Sequence, residues 1–346
     1  MAASIRVPNR RRRATSVPRW GLRLGLLVLP LLAAPGISAA EPSTDSDYDQ
    51  LLAENPGERE EIEALQGALS EDPEAEESFL AYQDSVDAHP ELAEHEAAYY
   101  EALAEDSLLA QRAQELEEAA ADDPEAESQM AAFDSLMASD EDLGERMEAF
   151  ETAAAEDAED FEAHAEAVAE VQGDADLAEE IFASEAAPTY SGSDPQIVVL
   201  VDYLRAHPGL YRAWWRLHHY VRARPPIARA LRAHWRWWRP RPALWRTWWR
   251  YRLRAARTPR IHRLLWSRRV WLGRRPALAR RVWGHRLLIA RKPLLRRHAR
   301  FHYRHPKLAK RVLHHRRVVR RHAGPGRKPP PPRHRRKPPP PPPRRR

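Results

Sequence analysis

The chain has no cysteine, which excludes disulfides, thiolate nucleophiles and thiolate metal sites. From Tyr203 to Arg346 it has no aspartate or glutamate, and from Glu41 to Asp202 its basic residues are Arg59, Arg112 and Arg146 alone. Its 13 glycines are scattered, so no Gly-rich phosphate loop forms. No serine sits in a nucleophile elbow. No apolar run is long enough to span a bilayer: Leu24–Ala34 is short, and Pro30 interrupts it.

What is present is an extreme separation of charge. All 50 acidic residues lie between Glu41 and Asp202; against three arginines they give that stretch −47. The stretch from Tyr203 onward carries +46, of which 41 residues are Arg, together with 11 of the 12 Trp and 13 of the 16 His. Seven further Arg precede Glu41.

Those arginines, the apolar run Leu24–Ala34 and the small residues Ser38-Ala39-Ala40 form the pattern of a cleavable export signal, residues 1–40, with cleavage after Ala40. The mature chain would be periplasmic or secreted, with 49 basic and 50 acidic residues, close to neutral.

A 17-residue period runs through both halves. Prolines stand at 56, 73, 90 and 124, and again at 208, 225, 242, 259, 276 and 293. In the acidic half the 17-residue marks include Ser107, Glu141, Ala158 and Ala175 besides the prolines, and the residue before each mark is Asn55, Asp72, Asp106, Asp123, Asp140, Asp157 or Asp174, with His89 the exception. These are favoured helix N-caps, and proline is favoured just after the cap. With each mark counted as position 1, positions 3, 7, 10 and 14 are mostly apolar, and they fall within an arc of about 60° on a helix. Glu96 and His164, both at position 7, break that rule. A single continuous helix would rotate the stripe by about 100° at each unit, so each unit is its own short helix. A shifted reading frame would keep the period but has no reason to keep these apolar slots in phase.

The expected fold is all-α: tandem single-helix repeats stacked as an α-solenoid or helical hairpin array. Acidic repeats span 41–186, a linker 187–195, basic repeats 196–322, and a disordered Pro/Arg-rich tail 323–346. Two units match the length of a tetratricopeptide repeat, but that family's residue pattern is absent.

The carboxylates are too many and too uniform to single out a general acid–base pair. The chain is therefore expected to be a non-enzymatic interaction protein without a cofactor. His298, His302 and His305 have helical spacing for a metal, but Arg297, Arg300 and Arg304 surround them and would repel a cation. Trp215, Trp249, Trp266 and Trp283, at position 8 beside the stripe, are expected contact surface. Arg212, Arg246, Arg263 and Arg280 stand near them as anion contacts. The expected function is electrostatic association of the two halves, with the partner being the chain's own opposite half or another copy. The alternative is a cationic Arg/Trp module for anionic membrane lipid or nucleic acid, masked by the acidic half. No small-molecule substrate is apparent in the sequence.

Overall fold

The computed structural model describes residues 44–293, 295–296, 303 and 305–323. The expected signal, its cleavage point and the Pro/Arg tail beyond Ala323 lie outside the described residues, as do His298 and His302.

Among the described residues the 17-residue units fold as helices, the one from Ala158 as two short ones, and there is no strand. The acidic half gives α1 (Thr44–Glu54), α2 (Arg59–Glu71), α3 (Pro73–Ala88), α4 (Pro90–Glu105), α5 (Ser107–Ala121), α6 (Ala126–Ser139) and α7 (Glu141–Ala155). It ends in three short helices: α8 (Ala158–Ala163), α9 (Ala165–Gly173) and α10 (Ala175–Ile181). The basic half gives α11 (Pro195–Ala206), α12 (Pro208–Arg222), α13 (Pro225–Trp238), α14 (Pro242–Ala256), α15 (Pro259–Gly273), α16 (Pro276–Ala290) and α17 (Pro306–Ala323). The described residues form one compact unit.

Sequence neighbours touch less extensively than the largest pairs formed across the two halves. The large helix faces are buried between the halves. In one row α17 lies between α1 and α3, α16 between α3 and α5, α14 between α5 and α7, and α12 against α7. In the other row α15 lies between α4 and α6, and α13 between α6 and α9. Each unit carries the chain across to the opposite row. An acidic helix is therefore flanked along its row by basic ones, and the reverse.

The turns fix the register. Asp72, Asp106 and Asp140 cap their helices, each accepting at 3.0 Å from the backbone N–H three residues on. Arg224, Arg241 and Arg275 occupy the cap position of α13, α14 and α16 and give no such bond, since a guanidinium has no acceptor. Several of these basic cap residues reach an acidic one instead: Arg224 meets Asp140 at 3.8 Å, Arg241 meets Asp123, Lys292 meets Asp72, and His207 meets Asp157 at 2.9 Å. Counted along the chain, the members of these pairs lie 42, 59, 110 and 25 residues on either side of Phe182. Those spacings differ by multiples of 17, so the halves run antiparallel, unit against unit, without a slip. At the two remaining positions the pattern changes. Asp106 takes Arg254 at 2.8 Å, one turn before Thr258, and Arg275 lies 4.2 Å from the Trp271 ring centre, in the slot opposite His89.

The cores are complementary in size. The acidic half contributes many buried alanines with Phe133, Phe150 and Phe161, while the basic half contributes Trp214, Trp235, Trp238, Trp245, Trp248 and Trp249 to the same cluster. Trp249 packs on Phe161 and Phe150 at ring-centre separations of 5.0 and 5.7 Å. Trp245 donates its indole N–H to the Ala165 carbonyl at 2.7 Å. Small residues on one side accept large ones on the other, which is how a close-packed interior is filled.

The tightest approach is between α15 and α6. A Cβ at Gly273 would fall on the carbonyl oxygen of Asp134 and lie 2.7 Å from the Ala138 Cβ. The obstacle is mostly backbone, so it cannot swing aside. Gly273→Ala is expected to lower stability by about 1–3 kcal/mol, the cost of overpacking, despite the higher helix propensity of alanine. Chemical denaturation of the two proteins checks this.

Candidate functional site

The middle of the interface holds a cluster of buried ions. Glu96, on α4, is 3% exposed. Its Oε1 accepts from Arg268 Nε at 2.7 Å on α15, and its Oε2 accepts from Arg286 Nη2 at 2.7 Å on α16. Arg286 also lies 3.5 Å from Glu117. One helix over, Asp134 meets Arg269 Nε at 3.0 Å and accepts the Trp283 indole N–H at 3.0 Å. Buried Glu151 pairs with buried Arg252 and lies 3.3 Å from His262 Nε2. Four carboxylates thus face four guanidiniums, and every pair joins the acidic half to the basic half.

Aromatic faces complete the cluster. Arg286 and Arg268 lie 4.1 and 4.7 Å from the Tyr99 ring centre. Arg252 lies 4.6 Å from that of Trp248. A desolvated guanidinium gains from such a face. A cavity of about 40 Å³ sits among these groups, lined by Glu117, Asp134, Glu151, Arg252, Arg269 and Arg286 with neighbouring aromatics. It has room for one or two waters at roughly 30 Å³ each.

The electrostatics follow from burial and pairing. Burial alone would raise the pKa of Glu96, but the guanidiniums of Arg268 and Arg286 overcome it and hold the carboxyl down at about 2. Asp134 goes the other way: its burial outweighs Arg269 and raises it. Burial pushes the phenols of Tyr82, Tyr99, Tyr100 and Tyr303 well up, so they stay protonated. Burial lowers His262 despite Glu148. The arrangement is a set of matched charges, each carboxylate committed to a cation.

The residues singled out in the sequence fall elsewhere. Trp249 is fully buried, its ring packed on Phe150 and Phe161 of the acidic half, because position 8 of α14 points at neighbouring acidic helices. Trp215, Trp266 and Trp283 are half-buried against the main core. Arg212, Arg246, Arg263 and Arg280 are exposed. Arg246 lies 3.7 Å from Glu166, and Arg212 and Arg263 donate to backbone carbonyls of their own helices. His305 is exposed; its companions His298 and His302 lie outside the described residues. Among the described residues no helix is long and apolar enough to cross a membrane.

The ionic cluster itself was missed, although its signal is periodic. Glu117, Asp134, Glu151, Arg252, Arg269 and Arg286 all stand at position 11 of their units. Position 11 lies about 40° from position 7 at 100° per residue, on the edge of the apolar stripe. No protein-family model, curated protein or solved structure matches this chain.

Proposed function

We propose that this is an exported, non-enzymatic interaction protein whose acidic half neutralises and masks its Arg/Trp-rich half within one chain. The observation that carries the reading is the alternation of acidic and basic helices along each row, with unit-boundary residue meeting unit-boundary residue at equal distances from Phe182. An unmasked stretch of +46 would adhere indiscriminately to anionic surfaces. The fold sets a carboxylate near many of those cations, and export with cleavage after Ala40 removes the seven unmatched arginines.

Single surface pairs contribute only about 0–1 kcal/mol each, so the reading rests on the field of the whole array. Vesicles of phosphatidylglycerol at low salt test it. The intact mature chain should bind them weakly. The basic half, released by cutting the linker, separated in denaturant and returned to dilute buffer, should bind them tightly. Equal binding by both would refute masking and favour the cationic-module alternative, in which the basic half is already available to lipid or nucleic acid.

A further inference from the structure

The repeat loses its regularity just before the linker, and a cleft opens there. The unit that begins at Ala158 is split at His164 into α8 and α9, and α10 has only 7 residues, against 15 in α12 and 14 in α13. The short helices cannot cover the apolar faces of the long ones. What remains is a cavity of about 470 Å³ between α9 and α10 on one side and α12 and α13 on the other. That is within the range of small-molecule sites. At roughly 30 Å³ per water-sized group it admits about sixteen of them.

Its walls are apolar: Phe182, Trp214, Leu217, Leu231 and Trp235 line it, with Val171 below. The exposed lining residues Asp176, Arg222 and Pro225 mark its mouth. Most polar groups there are already committed. Glu179 pairs with Arg222 and lies 3.7 Å from His218 Nε2. Burial lowers His218 to about 4, so it is neutral at pH 7. Asp174 caps α10, accepting from the backbone of Asp176 and Leu177.

Two side chains in the wall are uncommitted. Arg232, half-buried, makes no hydrogen bond or ion pair with any described residue. Gln172 also lines the cleft, and its buried Oε1 has no partner. Its carboxamide can present either a donor or an acceptor.

We propose that this cleft binds a single-chain anionic amphiphile: an apolar tail against Trp214, Trp235 and Leu217, with a carboxylate head on Arg232. A guanidinium fork matches a carboxylate bidentately, and the apolar walls gain by losing water. Gln172, with its carboxamide turned so that Nε2 faces the cleft, donates a second hydrogen bond to the head. The sequence hides the site, because it arises where units of unequal length face one another.

Calorimetric titration of the full chain with dodecanoate, below its micelle concentration, tests the proposal. One equivalent should bind. Arg232→Leu should weaken binding by about tenfold or more, the loss of a charge-assisted pair. Ala228→Trp, which fills the cleft from α13, should abolish it. Arg229→Leu, an exposed neighbour outside the cleft, should leave it unchanged. Dodecyltrimethylammonium should bind more weakly than dodecanoate. The proposal is overturned if dodecanoate shows no saturable binding, if Arg232→Leu and Ala228→Trp bind as the parent does, or if the ammonium amphiphile binds as tightly.

Discussion

Glu96→Ala is expected to destabilise the protein by about 3–5 kcal/mol, because it leaves the buried guanidiniums of Arg268 and Arg286 without their shared carboxylate. The loss exceeds what the pair adds, since the penalty lies in two uncompensated buried charges. Replacing the set together, Glu96→Leu with Arg268→Met and Arg286→Met, should recover most of it or add about 1–4 kcal/mol. Chemical denaturation of the single and triple variants measures both. A single variant within about 0.5 kcal/mol of the parent would mean that the triad is not buried in solution, since changes that small are typical of surface sites.

The same triad sets an acid limit. Glu96 titrates at about 2 when folded and near 4.3 when unfolded. Its contribution is fully present above the unfolded value and is lost as pH falls from there toward 2. Asp134, raised by burial, has the opposite sign: the folded state takes its proton more readily, which softens the acid loss. In Glu96→Ala the component of acid sensitivity between about pH 4.3 and 2 should disappear.

Cutting the folded chain in its linker should leave a complex held without a covalent bond, whose association depends steeply on salt. Between α10 and α11 the chain is pinned mainly to its own neighbourhood: Thr189 bonds to Ile181 and Glu180, Ser191 to Glu180, and Arg205 to Pro188. A protease site placed near Gly192 therefore severs the halves without touching the rows. Re-association of the separated halves should slow by about 10–10³-fold from dilute buffer to molar salt, as steering between opposite fields is lost and the screening length falls to about 3 Å. The dissociation rate should change far less, because the pairs at Glu96, Asp134 and Glu151 are buried and Trp stacking is indifferent to salt. Stopped-flow mixing at several salt concentrations separates the two rates. An association rate independent of salt would leave apolar burial as the sole organising force.

Much of the architecture was legible in the sequence, for local reasons. A cap followed by proline, and apolar residues at positions 3, 7, 10 and 14, specify a helix and its buried face without reference to any partner. Which helix covers that face is a different question. The expectation that consecutive units stack on one another missed the alternation of the halves, because periodicity is blind to pairing. The clue was chemical: Arg224, Arg241 and Lys292 at positions that call for a cap acceptor make sense only if an acid from elsewhere approaches.

Position 7 of the unit from Pro90 carried a second clue. Glu96 looked like an exception to the apolar rule, and it is the centre of the buried ion cluster. The four position-8 tryptophans show the limit of a helical-wheel argument. Half a stripe-width decides whether a ring is core or surface, and Trp249 lies on the buried side. The cleft beside Phe182 was not legible at all, since it results from helix lengths rather than residue types.

The central claim is that one chain folds back about Phe182, acidic unit against basic unit, in a single register. The absence of cysteine makes that directly measurable. In Asp140→Cys/Arg224→Cys the two thiols lie 42 residues on either side of Phe182, at a contact now made by a half-buried ion pair. A short bis-maleimide should cross-link them rapidly within one chain, whereas Asp140→Cys/Arg275→Cys, three units out of register, should react slowly. Fast intrachain linkage for the first pair alone is the result this fold predicts. Linkage chiefly between chains, or equal rates for the two pairs, would contradict it.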